Sequence, residues 1–81
     1  MENRVAIIAI VVEDLAKAEE VNKVLHEYGD HIIGRMGIPH RERGISLISV
    51  ALDGPSDVIS ALSGKIGGIE GVSAKAVYTK Q

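Results

Sequence analysis

RVAIIAIVV, the run from Arg4 to Val12, decides the fold. β-Branched residues dominate it, and both of its alternating sets are apolar: Val5, Ile7, Ala9 and Val11 on one side, Ala6, Ile8, Ile10 and Val12 on the other. A strand of that kind is central and covered on both faces. Glu13-Asp14 then opens a helix. Asp14 is a good N-cap, and both acids suit the positive end of the helix dipole. Leu15, Ala18, Val21, Leu25 and Tyr28 recur at helical spacing, while Lys17, Glu19, Glu20, Lys23 and Glu27 face outward. Gly29 supplies the stop.

Downstream, His31 to Ile38 (HIIGRMGI) alternates less cleanly and contains Gly34 and Gly37, the mark of an edge strand. Pro39 to Gly44 (PHRERG) is a polar hairpin connection, and Ile45 to Leu52 (ISLISVAL) is a second strongly apolar strand. Asp53-Gly54-Pro55-Ser56 reads as a turn into a helix with a buried stripe of Val58, Ile59, Leu62 and Ile66, ended by Gly67-Gly68. Val72 to Thr79 alternates small apolar and polar residues as a last strand. The order β-α-β-β-α-β is two interlocked halves. It predicts an α+β, ferredoxin-like βαββαβ sandwich with an antiparallel sheet ordered 4-1-3-2 and both helices on one face. That order puts the two most apolar strands in the centre and the glycines and lysine at the edges, as physical chemistry requires.

Eighty-one residues make one domain, spanning 1–81. A chain this small hides a modest fraction of its surface and leans on staples or partners. Staples are missing, because there is no cysteine; disulfides, thiolate metal sites and cysteine nucleophiles are excluded together. The core must be aliphatic, since Phe and Trp are absent and Tyr occurs twice. Nine basic against eleven acidic side chains leave a net charge of −2, which argues against direct nucleic-acid binding. The apolar run from Val5 to Val12 is far shorter than the ~20 residues of a membrane span, and it does not read as a signal peptide, so a cytoplasmic location is expected.

Two helices cover one side of a four-stranded sheet. The other side should be polar in a monomer, yet the first strand is apolar on both faces, and the third offers Ile45 and Leu47 opposite Ile48, Val50 and Leu52. Whichever set packs on the helices, aliphatic side chains remain outside. A homo-oligomer, a dimer or tetramer, is the expected remedy.

The run HEYGDHIIGRMGIPHRERGISLISVALDG (His26 to Gly54), with SGKIGGIEGVSAK (Ser63 to Lys75), resembles the family of iron-only hydrogenase system regulators. The EYGD turn (Glu27–Asp30), GRMGIP (Gly34–Pro39) and the GxxGV lead into the last strand (Gly68–Val72) carry the likeness, which covers essentially the whole chain. That family is similar in fold to ACT domains and to the C-terminal sensing domain of nickel-responsive repressors. The resemblance implies an ACT-like oligomer with a regulatory role. The chain departs from those relatives at two points. No ribbon-helix-helix DNA reader is expected ahead of the first strand, which is expected to start at about Asn3 or Arg4, and no cysteine completes a square-planar nickel site. In addition, the first strand-to-helix loop, Val12-Glu13-Asp14-Leu15, lacks the glycine beside which ACT domains hold an amino-acid ligand.

Candidate effector- or partner-binding residues are Gly34, Arg35, Met36, Gly37, His40, Arg41 and Arg43. Three arginines stand against Glu42 alone, so this hairpin is locally cationic, and arginine forks suit carboxylates and phosphates. Two readings are open: an anion or docking site, or a solvated hairpin whose arginines pair with acids of a neighbouring subunit. His26, His31 and His40 have no ligand spacing, and neither a metal nor a cofactor is expected. Glu13 and Asp14 are explained by capping. Ser46, Ser49, Ser60 and Ser63 lie in no G-x-S-x-G motif, and Gly67-Gly68-x-x-Gly71 follows a helix, the wrong context for a phosphate loop. The expected role is a regulatory or sensing module that binds a small-molecule effector or a regulatory protein partner between subunits. A plain adaptor is the alternative, and catalysis is not expected.

Overall fold

The computed structural model describes residues 3–80. Four strands, β1 (Asn3–Val12), β2 (Ile32–His40), β3 (Ile45–Pro55) and β4 (Val72–Tyr78), and two helices, α1 (Ala18–Glu27) and α2 (Ser56–Gly67), follow one another as β1-α1-β2-β3-α2-β4. The sheet is antiparallel throughout and ordered β2-β3-β1-β4, the expected 4-1-3-2 order. This is a ferredoxin-like, ACT-like α+β domain.

Register decides which of the two apolar sets of β1 faces the helices. Ala6, Ile8, Ile10 and Val12 stand opposite Leu52, Val50, Ile48 and Ser46 of β3, and opposite Tyr78, Ala76, Ala74 and Val72 of β4. Their side chains are buried with Val21 and Leu25 of α1 and Ile59, Leu62 and Ile66 of α2. Each fully buried Ile or Leu stabilises by about 1.5–3 kcal/mol. No polar or charged residue is buried among the described residues.

Local structure departs from the sequence pattern where short turns compete with helix and strand. Asp14 is a cap, but of a single 3-10 turn, Leu15–Lys17, that precedes α1; its Oδ1 accepts from the Ala16 N–H at 3.0 Å. That turn carries Leu15 away from the buried stripe, leaving it 40% exposed. A second 3-10 turn, Gly29–His31, follows α1, and His31 lies in it rather than in the strand. β2 runs on through Pro39 and His40, so the hairpin connection shrinks to one 3-10 turn, Arg41–Arg43, closed by Gly44 at φ 67°. Proline is tolerated there because β2 is an edge strand. β3 extends to Pro55, so Asp53 and Gly54 are strand residues. No helix among the described residues is long and apolar enough to cross a membrane.

Candidate functional site

Strand geometry builds the site from alternation alone: successive side chains point to opposite faces, so the set of β1 that does not meet the helices must line the other side. That set is Val5, Ile7, Ala9 and Val11. Pairing places Ala51, Ser49 and Leu47 of β3 beside Ile7, Ala9 and Val11, then Gly34, Met36 and Ile38 of β2 beside those, with Val77, Lys75 and Ser73 of β4 on the other flank. The result is a largely aliphatic surface, with Lys75 on its β4 edge and Asp53 beside Val5 at one end. Val5, Ile7, Met36, Ile38, Leu47 and Val77 are all exposed on it, with Met36 at 61% and Ile7 at 49%. Water meets these side chains directly, at a cost of roughly 25 cal/mol per Å² relative to a covered state.

The surface is not flat. Small residues sit between large ones, and two depressions of about 260 Å³ each result. The first lies among Ala9, Val11, Met36, Ile38, Leu47 and Ser49; the second among Ile7, Gly34, Met36, Ser49 and Ala51, with Arg35 contributing. Met36 is thus a ridge between two hollows, with Ser49 beside both.

The seven residues singled out in the sequence do not form one cluster. Gly34, Met36 and His40 share the open face through their register with Ala51, Ser49 and Ile45. Arg35 and Gly37 pair with Val50 and Ile48 and so belong to the helix side. There the Arg35 Nη2 donates to Asn22 Oδ1 of α1 at 2.7 Å. Arg41 and Arg43 lie in the turn at the end of the hairpin. Unlike the central strands, β2 is uncovered on both faces after Ile32, with Ile33 65% exposed where the strand bulges between Ile32 and Gly34.

The histidines are far apart. His31 packs where a side chain on Gly54 would stand, and His40 is at the opposite end of β2, roughly 25–30 Å away at strand rise. His26 is exposed on α1. Among the described residues no three His, Cys, Asp or Glu side chains are grouped so as to hold a metal ion. Ile38, Ser49, Ala51 and Val77 were outside the set of residues singled out in the sequence. Their signal was the apolar character of both sides of β1, which says that a surface exists without saying which cross-strand neighbours complete it.

Comparison with known proteins agrees with this architecture. The family described as "TM1266-like: Iron-only hydrogenase system regulator, putative" matches residues 4–76. Among solved structures, "uncharacterized protein TM1266" from Thermotoga maritima is 45% identical, with a TM-score of 0.92, over 98% of this chain and 100% of that one. A formyltetrahydrofolate deformylase from Pseudomonas putida KT2440 superposes with a TM-score of 0.68 at 13% identity; it shares the fold alone, over 95% of this chain and 30% of its own. No curated protein matches. With nearly the full length matched by the family and by a structure at 45% identity, the chain belongs to the TM1266-like family of iron-only hydrogenase system regulators.

Proposed function

We propose that the chain is a non-catalytic regulatory module of the iron-only hydrogenase system, one that assembles with copies of itself and binds a small effector between subunits. The observation that carries this reading is the uncovered aliphatic sheet face with its two hollows beside Met36. Small-molecule sites are largely apolar with a few polar groups for orientation. Here Ser49 and His40 are polar groups on the face, and Arg41 and Arg43 stand at its hairpin end, where guanidinium forks suit an anionic group. An effector that contacts subunits differently in two arrangements would shift the balance between them, which is all that regulation requires thermodynamically.

The test is a thermal-shift screen of amino acids, nucleotides and divalent metal ions on the wild type and on Arg41→Ser/Arg43→Ser. An anionic ligand that raises the Tm of the wild type and loses that effect in the double variant supports the proposal. If no compound in any class stabilises the wild type, the sensing role fails. A second reading, an adaptor that docks a protein without an effector, is favoured by the exposure of β2 on both faces. Retention of one specific partner from a native extract, without added ligand, distinguishes it.

A further inference from the structure

We infer that the open sheet face is covered by a second copy of this chain, packed sheet to sheet in an isologous pair, and not by extension of the sheet edge to edge. The inference rests on the self-association in the reading above and names the surface that performs it.

Area is the first argument. Four strands at ~4.8 Å spacing and eight or nine residues at ~3.3 Å give the open face about 500–600 Å². Two copies joined there would bury roughly 1,100 Å² in total, enough to clear the ~1,000 Å² of a specific interface.

The distribution of apolar groups separates the two modes of pairing. Exposed aliphatics occur on all four strands of the open face: Met36 and Ile38 on β2, Leu47 on β3, Val5 and Ile7 on β1, Val77 on β4. Joining two β2 edges would leave Val77, about 14 Å away across three strand spacings, in water along with Val5 and Ile7. Joining two β4 edges would strand Met36 and Ile38 in the same way. Only face-to-face packing covers all six. β2 is also a poor template for pairing, since Pro39 has no N–H and the bulge at Ile32/Gly34 breaks its register.

Chemistry of the face agrees with a self-complementary contact. The row across its middle runs Met36, Ser49, Ala9 and Lys75, charged only at its β4 end, and Asp53 stands beside Val5 at one end of the face; interface centres are depleted in charge. Lys75 stands on the edge strand, with a stem long enough to carry its ammonium to solvent. In an isologous pair the same patch meets itself, so every contact made across the two-fold axis occurs twice.

Sedimentation velocity of the full chain from about 1 to about 100 μM tests this. The expected wild type has twice the 8.6 kDa chain mass, or a tetramer. Ile7→Lys and Val77→Lys should each weaken that association about tenfold or more, whereas Ile33→Lys, on β2 but at the bulge, should leave it unchanged. Far-UV circular dichroism checks folding; if Ile7→Lys does not fold, Val77→Lys, whose wild-type side chain is 62% exposed, carries the test. A tetramer that falls to dimers in the face variants also supports the inference. A wild type that stays at 8.6 kDa throughout overturns it, as does association that Ile33→Lys abolishes and Val77→Lys spares. A monomeric wild type still stabilised by an effector would overturn the pairing and leave the regulatory role standing.

Discussion

Gly71 joins α2 to β4 with φ at 80°, in the left-handed region, and Gly44 closes the hairpin with φ at 67°. The two differ in surroundings. A Cβ on Gly44 would meet nothing within 4 Å, whereas one on Gly71 would stand 3.1 Å from the Asp14 Cβ. Gly44→Ala therefore isolates backbone strain, about 1–2 kcal/mol for a non-glycine residue in this region. Gly71→Ala adds crowding against Asp14, which caps the turn before α1, and beside the Glu13 N–H bond to the Gly71 carbonyl at 2.8 Å. Displacing that cap costs a further ~0.5–2 kcal/mol. A domain of this length loses about 4–8 °C in Tm per kcal/mol. Thermal melts at one protein concentration, which holds any effect of association constant, should thus show Gly44→Ala down by roughly 4–16 °C and Gly71→Ala lower still by about 2–16 °C. Asp14→Gly removes both the Cβ and the cap, and glycine costs only a few tenths of a kcal/mol at a cap position. Combined with Gly71→Ala it should restore about 1 kcal/mol by relieving the clash. Equal losses for the two alanine variants, with no rescue by Asp14→Gly, would refute the crowding argument. Losses below about 0.5 kcal/mol in both would refute the left-handed turns themselves.

Leu62→Ala should destabilise by about 2–5 kcal/mol in urea titrations, because Leu62 is fully buried between α2 and the sheet. Leu15→Ala, outside that core, should cost well under 1 kcal/mol in the same titration; a loss matching Leu62→Ala would mean that Leu15 packs inside after all. Arg35→Ala removes one exposed hydrogen bond to Asn22 and should stay within about 0.5 kcal/mol of wild type in Tm-derived stability. Lys75→Ala should strengthen self-association in sedimentation, since it lowers the cost of bringing the face out of water; weaker association would place Lys75 in a specific contact.

Much of this protein is legible in its residues taken one after another. RVAIIAIVV, the helical spacing of Val21 and Leu25, the spacing of Ile59, Leu62 and Ile66, and the glycines at the ends of elements are local signals. Periodicity and propensity act over a few residues, so they specify element type, chain order and, through the handedness of crossovers, the sheet order. The excess of aliphatic side chains over what two helices can cover was also visible, because it needs only a count of faces. What the chain could not say beforehand is which side of β1 is outside. Both sets are apolar, and the choice is made by cross-strand register with β3 and β4, a contact between residues far apart in sequence. Arg35 and Met36, adjacent in sequence, are separated for the same reason. Neighbours along a strand point to opposite sides of a sheet, and only tertiary pairing brings Met36 together with Ser49 and Ala9 while sending Arg35 to Asn22.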